Sequence, residues 1–477
     1  MARINSNTSA LVAYRHLNNS YGALNTTIQR LSSGLRINRG ADDPAGLIAS
    51  ERLRSEIGAV NQAIGNTQRA STIIATTEGA LDEVSRLLND IQSLVVEAAN
   101  SGALSQEEIE ANQLQVDSAI ASITRVANST TFAGKHLLDG SMDYLTSGVN
   151  NSQINSLKLN SVMFGTASYV PIDVNVTQSA QLAQLQYLGS SVATDVTLEI
   201  GGNKGVTTLN FGAGTAVSAV VRAINQVEGA TGVKATLINS ANPASGFAFT
   251  SEALGSSQFV SVSALPGGGT FQVQDTAGNL KNRTYGRDVI ATVNGAATQG
   301  DGNTISLGST ALDMKLTLAD TFGVGTTSFA ITGGGAKFQV GPMINSNLQV
   351  GIGVQSVAAS RLGNTALGFL SQIASDGPYA LTKDKAEQAQ LIIVESAKQV
   401  AVLRGRLGAF EKNVLDTNVN QLSVTMENLT SAESAIRDAD FAQETSNLAR
   451  NQILVQSGTS VLKIANQTPQ SVLALLQ

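Results

Sequence analysis

The chain of 477 residues contains no cysteine and no tryptophan, and its only histidines are His16 and His136. The absence of cysteine excludes disulfides and thiol chemistry, and two histidines argue against a zinc site. Charged residues make up 14 % of the chain, against ~25 % in an average soluble protein, and the net charge is −6. No basic block is present, which argues against a nucleic-acid partner.

Long hydrophobic runs are also missing. No run reaches the roughly 18 apolar residues that a membrane span needs, and the first 11 residues lack the apolar core of a secretory signal. The sequence therefore predicts no membrane partner, and either a cytoplasmic protein or export without a cleavable signal. No motif indicates a cofactor or a metal site. Asp42 and Asp43, beside Pro44, are typical of a helix cap rather than of a metal-binding pair.

The first feature that is present is a seven-residue repeat near the start of the chain. Apolar residues alternate at intervals of three and four between 10 and 35, the a/d pattern of a coiled coil, and a similar repeat lies between 441 and 462. A core helix of a globular protein usually has a wider apolar face. We predict that the two ends pair and form the inner assembly seam, with Leu17, Tyr21, Leu24, Ile28, Leu31, Leu35, Phe441, Leu448, Val455 and Leu462.

Long helices follow this first repeat. A helical pattern without proline runs from about 45 to 99, and Ser105 with Glu108 predicts a capping box for a second helix to about 129. Helical periodicity returns after 381. The predicted rod seam comprises Leu81, Val84, Leu88, Ile91, Val95, Leu403, Leu407 and Phe410.

The middle of the chain is rich in Gly, Thr, Ser, Asn and Val, and predicts short strands with glycine-rich turns. The fold class is therefore α+β: a long antiparallel helical bundle or coiled coil formed by both termini, with a β-rich inserted outer domain. We predict an inner coiled-coil domain (1–44 with 432–477), a helical rod domain (45–178 with 340–431) and a β-rich outer domain (179–339). Deletion of much of 190–335 is expected to be tolerated.

Several motifs resemble those of bacterial flagellins. The stretches 31–38 (LSSGLRIN) and 42–47 (DDPAGL) are similar to the N-terminal signature of that family, and 465–470 (ANQTPQ) with 472–476 (VLALL) to its C-terminal signature. The turn at 130–138 (TTFAGKHLL) also resembles the family, in which Asn is usual at the position of Ala133. Residues 196–264 resemble a motif inserted in some flagellins.

The resemblance implies a structural protein that self-assembles into the helical flagellar filament for swimming, secreted and extracellular, and not an enzyme. It implies a homopolymer, contacts with hook-associated and cap proteins, and an export chaperone that binds 432–477 through Phe441, Leu448, Val455 and Leu462. It also implies an animal innate immune receptor that reads the outward face of the second long helix, here Asp90, Ser93, Leu94 and Glu97. Activating members typically carry Arg and Glu at the first two positions, so we expect weak activation.

Two alternatives remain open at this point. A hook–filament junction protein also has helical ends and an Asp-Asp-Pro, although the complete terminal signatures favour the filament subunit. An enzyme or glycan-binding module displayed on a helical stalk is a different class of protein. Against it, Gly351 and Gly353 lack the third glycine of a nucleotide fingerprint, and Asp301-Gly302-Asn303 is typical of a hairpin turn.

Overall fold

The computed structural model describes residues 7–100, 102–165, 167–266, 269–309, 311–383 and 385–474. Residues 475 and 476, the end of the C-terminal signature, lie outside this part. The α+β fold class is confirmed, with long helices toward both ends and strands between them. The contacts divide the chain into two compact units, Met1–Ile74 with Gln339–Ile344 and Gly408–Gln477, and Ala75–Phe338 with Asn345–Leu407.

The helices have these bounds: α1 Thr8–Ser33, α2 Pro44–Ala98, α3 Gln106–Ser129, α4 Val217–Gln226, α5 Glu228–Thr231, α6 Ala386–Phe410, α7 Thr417–Arg437 and α8 Phe441–Ala474. A π-helical segment, Glu411–Asp416, connects α6 to α7. Short 3-10 turns lie at Pro243–Ser245, Ser346–Leu348, Leu370–Ile373 and Leu381–Lys383.

Local side chains explain where two of these helices begin. Ser105 and Glu108 form the predicted capping box of α3. Asp43 accepts a hydrogen bond from the Gly46 amide at 2.9 Å, as a capping residue does. Asp42 accepts from two amides of the preceding loop instead, and these bonds lower its pKa. Asp43 is therefore the helix cap that the sequence predicts, whereas Asp42 binds the loop before the helix and is not a cap.

In the first unit, α1 pairs with α8, and the first part of α2 packs against α7. The α2–α7 contact buries Val60, Ala63 and Ile64 with Leu422. Where the chain leaves α1 and α7, the two connections run side by side: the Arg36 amide donates to the Arg437 carbonyl at 2.7 Å, and the Ala439 amide to the Gly34 carbonyl at 2.9 Å. This bridge fixes the ends of both helices.

In the second unit, Arg404 of α6 forms an ion pair with Asp82 of α2 at 3.1 Å. Helix α3 contacts the 3-10 turns at Leu370–Ile373 and Leu381–Lys383. Seven of the predicted rod-seam residues are at most 6 % exposed: Leu81, Val84, Leu88, Ile91, Val95, Leu403 and Leu407. Phe410, also predicted for the seam, is half-buried. Within each helix these apolar side chains are spaced at intervals of three and four residues. They therefore lie on one face of that helix.

The strands have these bounds: β1 Thr131–Phe132, β2 Lys135–His136, β3 Tyr144–Ser147, β4 Ile154–Val162, β5 Val170–Gln178, β6 Leu182–Tyr187, β7 Val196–Gly201, β8 Val206–Phe211, β9 Val233–Leu237, β10 Phe247–Leu254, β11 Phe259–Ala264, β12 Arg283–Tyr285, β13 Ile290–Val293, β14 Ala296–Ala297, β15 Gln299–Asp301, β16 Thr304–Gly308, β17 Leu312–Leu318, β18 Gly325–Gly334, β19 Ala336–Gln339, β20 Gln349–Ile352, β21 Gly363–Asn364 and β22 Gly368–Phe369.

These strands build two hydrophobic cores. The insert core, between 182 and 285, combines the antiparallel sheets β6-β10-β9 and β12-β11-β7-β8 with α4. The base core combines β14-β13-β5-β18-β3 with β15-β16-β17-β4. Because β5 pairs with both β13 and β18, the predicted boundary between 178 and 179 separates it from its partner strands. The β-rich region therefore begins well before 179, which corrects that boundary.

The turn between β1 and β2 has an unusual backbone. Ala133 and Gly134 form a two-residue hairpin loop, and their φ angles are 49° and 80°. Two successive positive φ values are typical of a type I′ turn, which favours Asn-Gly. Ala133 therefore occupies a conformation that a Cβ disfavours.

Candidate assembly surfaces

Helices α1 and α8 form an antiparallel coiled coil. On α1 the buried and half-buried positions repeat at intervals of three and four, and so do those of α8. The α1 row is Ala10, Ala13, Leu17, Ser20, Leu24, Thr27 and Leu31. The α8 row is Glu444, Leu448, Asn451, Val455, Gly458, Leu462 and Ala465.

This geometry corrects part of the predicted seam. Tyr21 and Ile28 of α1 are 44 % and 48 % exposed, and Phe441 of α8 is 59 % exposed. They face away from the contact between the two helices. Small residues take the alternate positions of α1, so the helices approach closely. A Cβ on Gly458 would lie 3.1 Å from Leu17 Cδ1, so this glycine makes room for that leucine.

Polar contacts fix the register of the pair. Arg30 donates to Glu444 at 3.2 Å near one end of the seam, and Glu444 is only 6 % exposed. Asn451 donates to Thr27 Oγ1 at 3.1 Å, and Asn7 donates to the Ala465 carbonyl at 2.7 Å near the other end. Since a shift of one heptad would break all three contacts, they specify one alignment. Sequence reasoning missed them because it sought apolar positions only.

Both helices also carry a second set of large apolar side chains that the seam leaves exposed. We call this set the outer stripe; its members are 44–66 % exposed. They are Leu11, Val12, Tyr14, Tyr21, Ile28, Phe441, Ile453, Leu454, Val461 and Ile464. A groove of about 800 Å³, lined by Val12, His16, Leu454 and Val461 among others, runs between the two helices. Exposed apolar surface of this extent marks an interaction site.

The predicted receptor face lies on α2 within the second unit. Asp90, Ser93 and Glu97 are exposed and Leu94 is half-buried, whereas the neighbouring Ile91 and Val95 are at most 1 % exposed. The Ser93 hydroxyl donates to the Asn89 carbonyl of its own helix at 3.1 Å. The face therefore presents two carboxylates, one hydroxyl and part of one leucine.

Comparisons with known proteins agree with this architecture. Two family profiles match the helical ends: the bacterial flagellin N-terminal helical region over 4–143, and the C-terminal helical region over 391–476. The flagellin of Salmonella rubislaw is 31 % identical over 99 % of both chains. The chain belongs to the bacterial flagellins. A third profile, the flagellin hook IN motif, matches this flagellin over 196–253, within the insert core.

Other relatives are similar over their full length. The B-type flagellin of Pseudomonas aeruginosa and flagellin A of Helicobacter pylori are each 27 % identical to this flagellin, with 99 % of both chains covered. The solved structure of FliC from Burkholderia pseudomallei is 19 % identical and covers 72 % of this chain and 98 % of that one, at a TM-score of 0.23.

This flagellin is a structural subunit of the bacterial flagellar filament, an extracellular polymer that serves motility. Among the described residues, no helix is long and apolar enough to cross a membrane. Within the same part of the chain, no group of three or more His, Asp or Glu side chains is placed to hold a metal ion.

Proposed function

We propose that this flagellin polymerises through the outer stripe of its terminal coiled coil. The observation that carries the proposal is the separation of two apolar surfaces on α1 and α8. One is buried by the pairing of the two helices, and the other, the outer stripe, is left exposed by every residue that the structure describes. Contacts between this stripe and different positions on further copies are heterologous, and such contacts generate a helix rather than a closed ring.

Substitution on the stripe should separate folding from assembly. Ile28→Asp places a carboxylate in the proposed interface but leaves the α1–α8 seam unchanged. We expect normal helix content by circular dichroism and no sedimentable filaments. Asn18→Asp, at an exposed position on the same helix outside the stripe, should assemble normally. Normal filaments from Ile28→Asp would count against the outer stripe as the polymer contact.

We propose that an export chaperone binds α8 before that helix pairs with α1. The seam face of α8 carries the apolar residues Leu448, Val455 and Leu462, which α1 covers in the folded chain. A chaperone on this face would prevent α8 from pairing with α1, and so would delay formation of the coiled coil through which the subunit polymerises. Leu448→Asp should abolish capture by the chaperone in a pull-down, whereas Ile453→Asp on the outer stripe should not. The reverse pattern would place the chaperone on the outer stripe, together with the exposed Phe441.

We propose that activation of the innate receptor is weak because the α2 face has the wrong charges. Asp90 carries a negative charge where activating members typically have the positive charge of Arg. Ser93 is neutral where they typically have the negative charge of Glu. Loss of one partner of an interfacial charge pair costs ~2–5 kcal/mol. Asp90→Arg with Ser93→Glu should raise activation in a reporter-cell assay, and Asn89→Asp serves as the control. No gain from the double variant would show that other residues limit recognition.

The remaining functions follow from the family. We propose that export proceeds without a cleavable signal, that hook-associated and cap proteins contact the ends of the filament, and that the subunit catalyses no reaction. Purified wild-type protein seeded with filament fragments should elongate them in negative-stain images without any added cofactor. Failure to elongate would contradict self-assembly by this chain alone.

A further inference from the structure

Helix α6 carries an apolar face that the described residues of its own unit leave exposed. Leu391, Val394 and Val402 are 46 %, 48 % and 55 % exposed, and Lys398 lies in the same row. Their spacing of three, four and four residues places them on one side of the helix. Ile392, on the inward side, is fully buried. A row of this kind is typical of a surface that another molecule covers.

Unpaired lysines lie beside this row. Lys158 of β4 is directly opposite Lys315 of β17, an arrangement that destabilises a sheet unless a counter-charge is supplied. Burial lowers the pKa of Lys158; Glu395 opposes this, and the cations of Lys315, Lys398 and Arg406 add to it. Arg406 has Asp313 and Asp143 near it. The ion pairs within the described ranges include neither Lys158, Lys315 nor Lys398.

Elsewhere in the same unit the charge is strongly negative. Between 75 and 118 the chain has nine carboxylates and a single cation, Arg86. On α3, Glu107, Glu110 and Leu114 lie three and four residues apart and so share one face. All three are exposed, Leu114 by 69 %, and neither glutamate takes part in an ion pair between described residues.

We propose that the α6 face of one subunit binds the α3 face of a second copy of this chain in the filament. We call them the basic face (Lys158, Lys315, Leu391, Val394, Lys398 and Val402) and the acidic face (Glu107, Glu110 and Leu114). Each supplies what the other lacks: lysines meet glutamates, and the valines and leucine of α6 meet Leu114. Because the two faces are different surfaces of one chain, the contact is head-to-tail and propagates along the polymer. It rests on self-assembly of the flagellin and adds a specific pairing within it.

A charge exchange tests the pairing. The first variant carries Lys158→Glu, Lys315→Glu and Lys398→Glu; the second carries Glu107→Lys and Glu110→Lys; the third combines all five changes. A control variant, with Arg222→Glu, Lys234→Glu and Lys337→Glu at exposed positions outside both faces, shifts the net charge as much as the first. Critical concentrations for seeded polymerisation are measured by sedimentation at low and high salt, and circular dichroism of the unassembled chains checks folding.

The first two variants should each raise the critical concentration at least about tenfold at low salt, and the effect should shrink as salt screens the charges. The combined variant should recover most of the loss, since its faces are again complementary. The control variant should stay close to wild type. The proposal is overturned if the first two variants assemble like the control, or if the combined variant is no better than they are while all remain folded.

Discussion

The insert core should be removable as a single piece. Gln181 and Arg287 exchange both backbone hydrogen bonds, at 2.8 and 3.0 Å, so the chain enters and leaves this core side by side. Such a pair is closed naturally by a two-residue type I′ turn, for which Asn-Gly is the favoured sequence. We therefore expect that replacing residues 182–286 with Asn-Gly leaves a folded base core and normal filament formation.

The expected loss of folding free energy is small for this excision and large for removal of the whole of 190–335. The buried residues of the insert core all lie between 183 and 273, and none of the base core does. Removal of 190–335 instead takes both neighbours of β5 and exposes Ile172, Val174 and Val176, each now 0 % exposed. At ~1.5–3 kcal/mol for each side chain, the loss is ~5–9 kcal/mol, a large part of the ~5–15 kcal/mol that stabilises a domain. The structure thus indicates which part of 190–335 can be deleted: the residues of the insert core, and not those of the base core.

Both excised proteins can be compared by thermal unfolding, by limited proteolysis of the remaining strands, and by sedimentation of seeded filaments. The 182–286 variant should resist protease between 144 and 178, whereas the 190–335 variant should be cut there. Equal protection in the two variants would refute the division into two cores. Loss of the base core in the 182–286 variant would refute its independence from the insert core.

Three further substitutions test local features. Ala133→Asn should stabilise the chain by about 0.5–1 kcal/mol, because Asn tolerates the positive φ, and an unchanged melting temperature would contradict this. Gly458→Leu should disrupt the α1–α8 seam by a clash with Leu17, and adding Leu17→Ala should restore helix content by circular dichroism; absence of rescue would show that the two residues are not complementary. Leu88→Asp should cost several kcal/mol and abolish filaments, with Asn89→Asp as the exposed control; normal filaments from Leu88→Asp would remove this residue from the rod seam.

The local features of this flagellin could be predicted from the sequence. The sequence predicts helix α2 within one residue at each end, and Ser105 with Glu108 predicts the capping box of α3. Both depend on interactions between residues a few positions apart, which the order of amino acids specifies. The seven-residue repeats of α1 and α8 are visible in the sequence for the same reason.

The sequence could not decide which side of α1 faces its partner. Ala10, Leu17, Leu24 and Leu31 fit a heptad equally well with Tyr14 and Tyr21 or with Ala13 and Ser20. The pairing selects the small residues because the helices approach closely and Gly458 receives Leu17, a fact that depends on residues more than 400 positions away. The division of the strands into two cores is decided in the same way. It depends on β5 finding β13 and β18 across more than 100 residues, and no local pattern encodes that pairing.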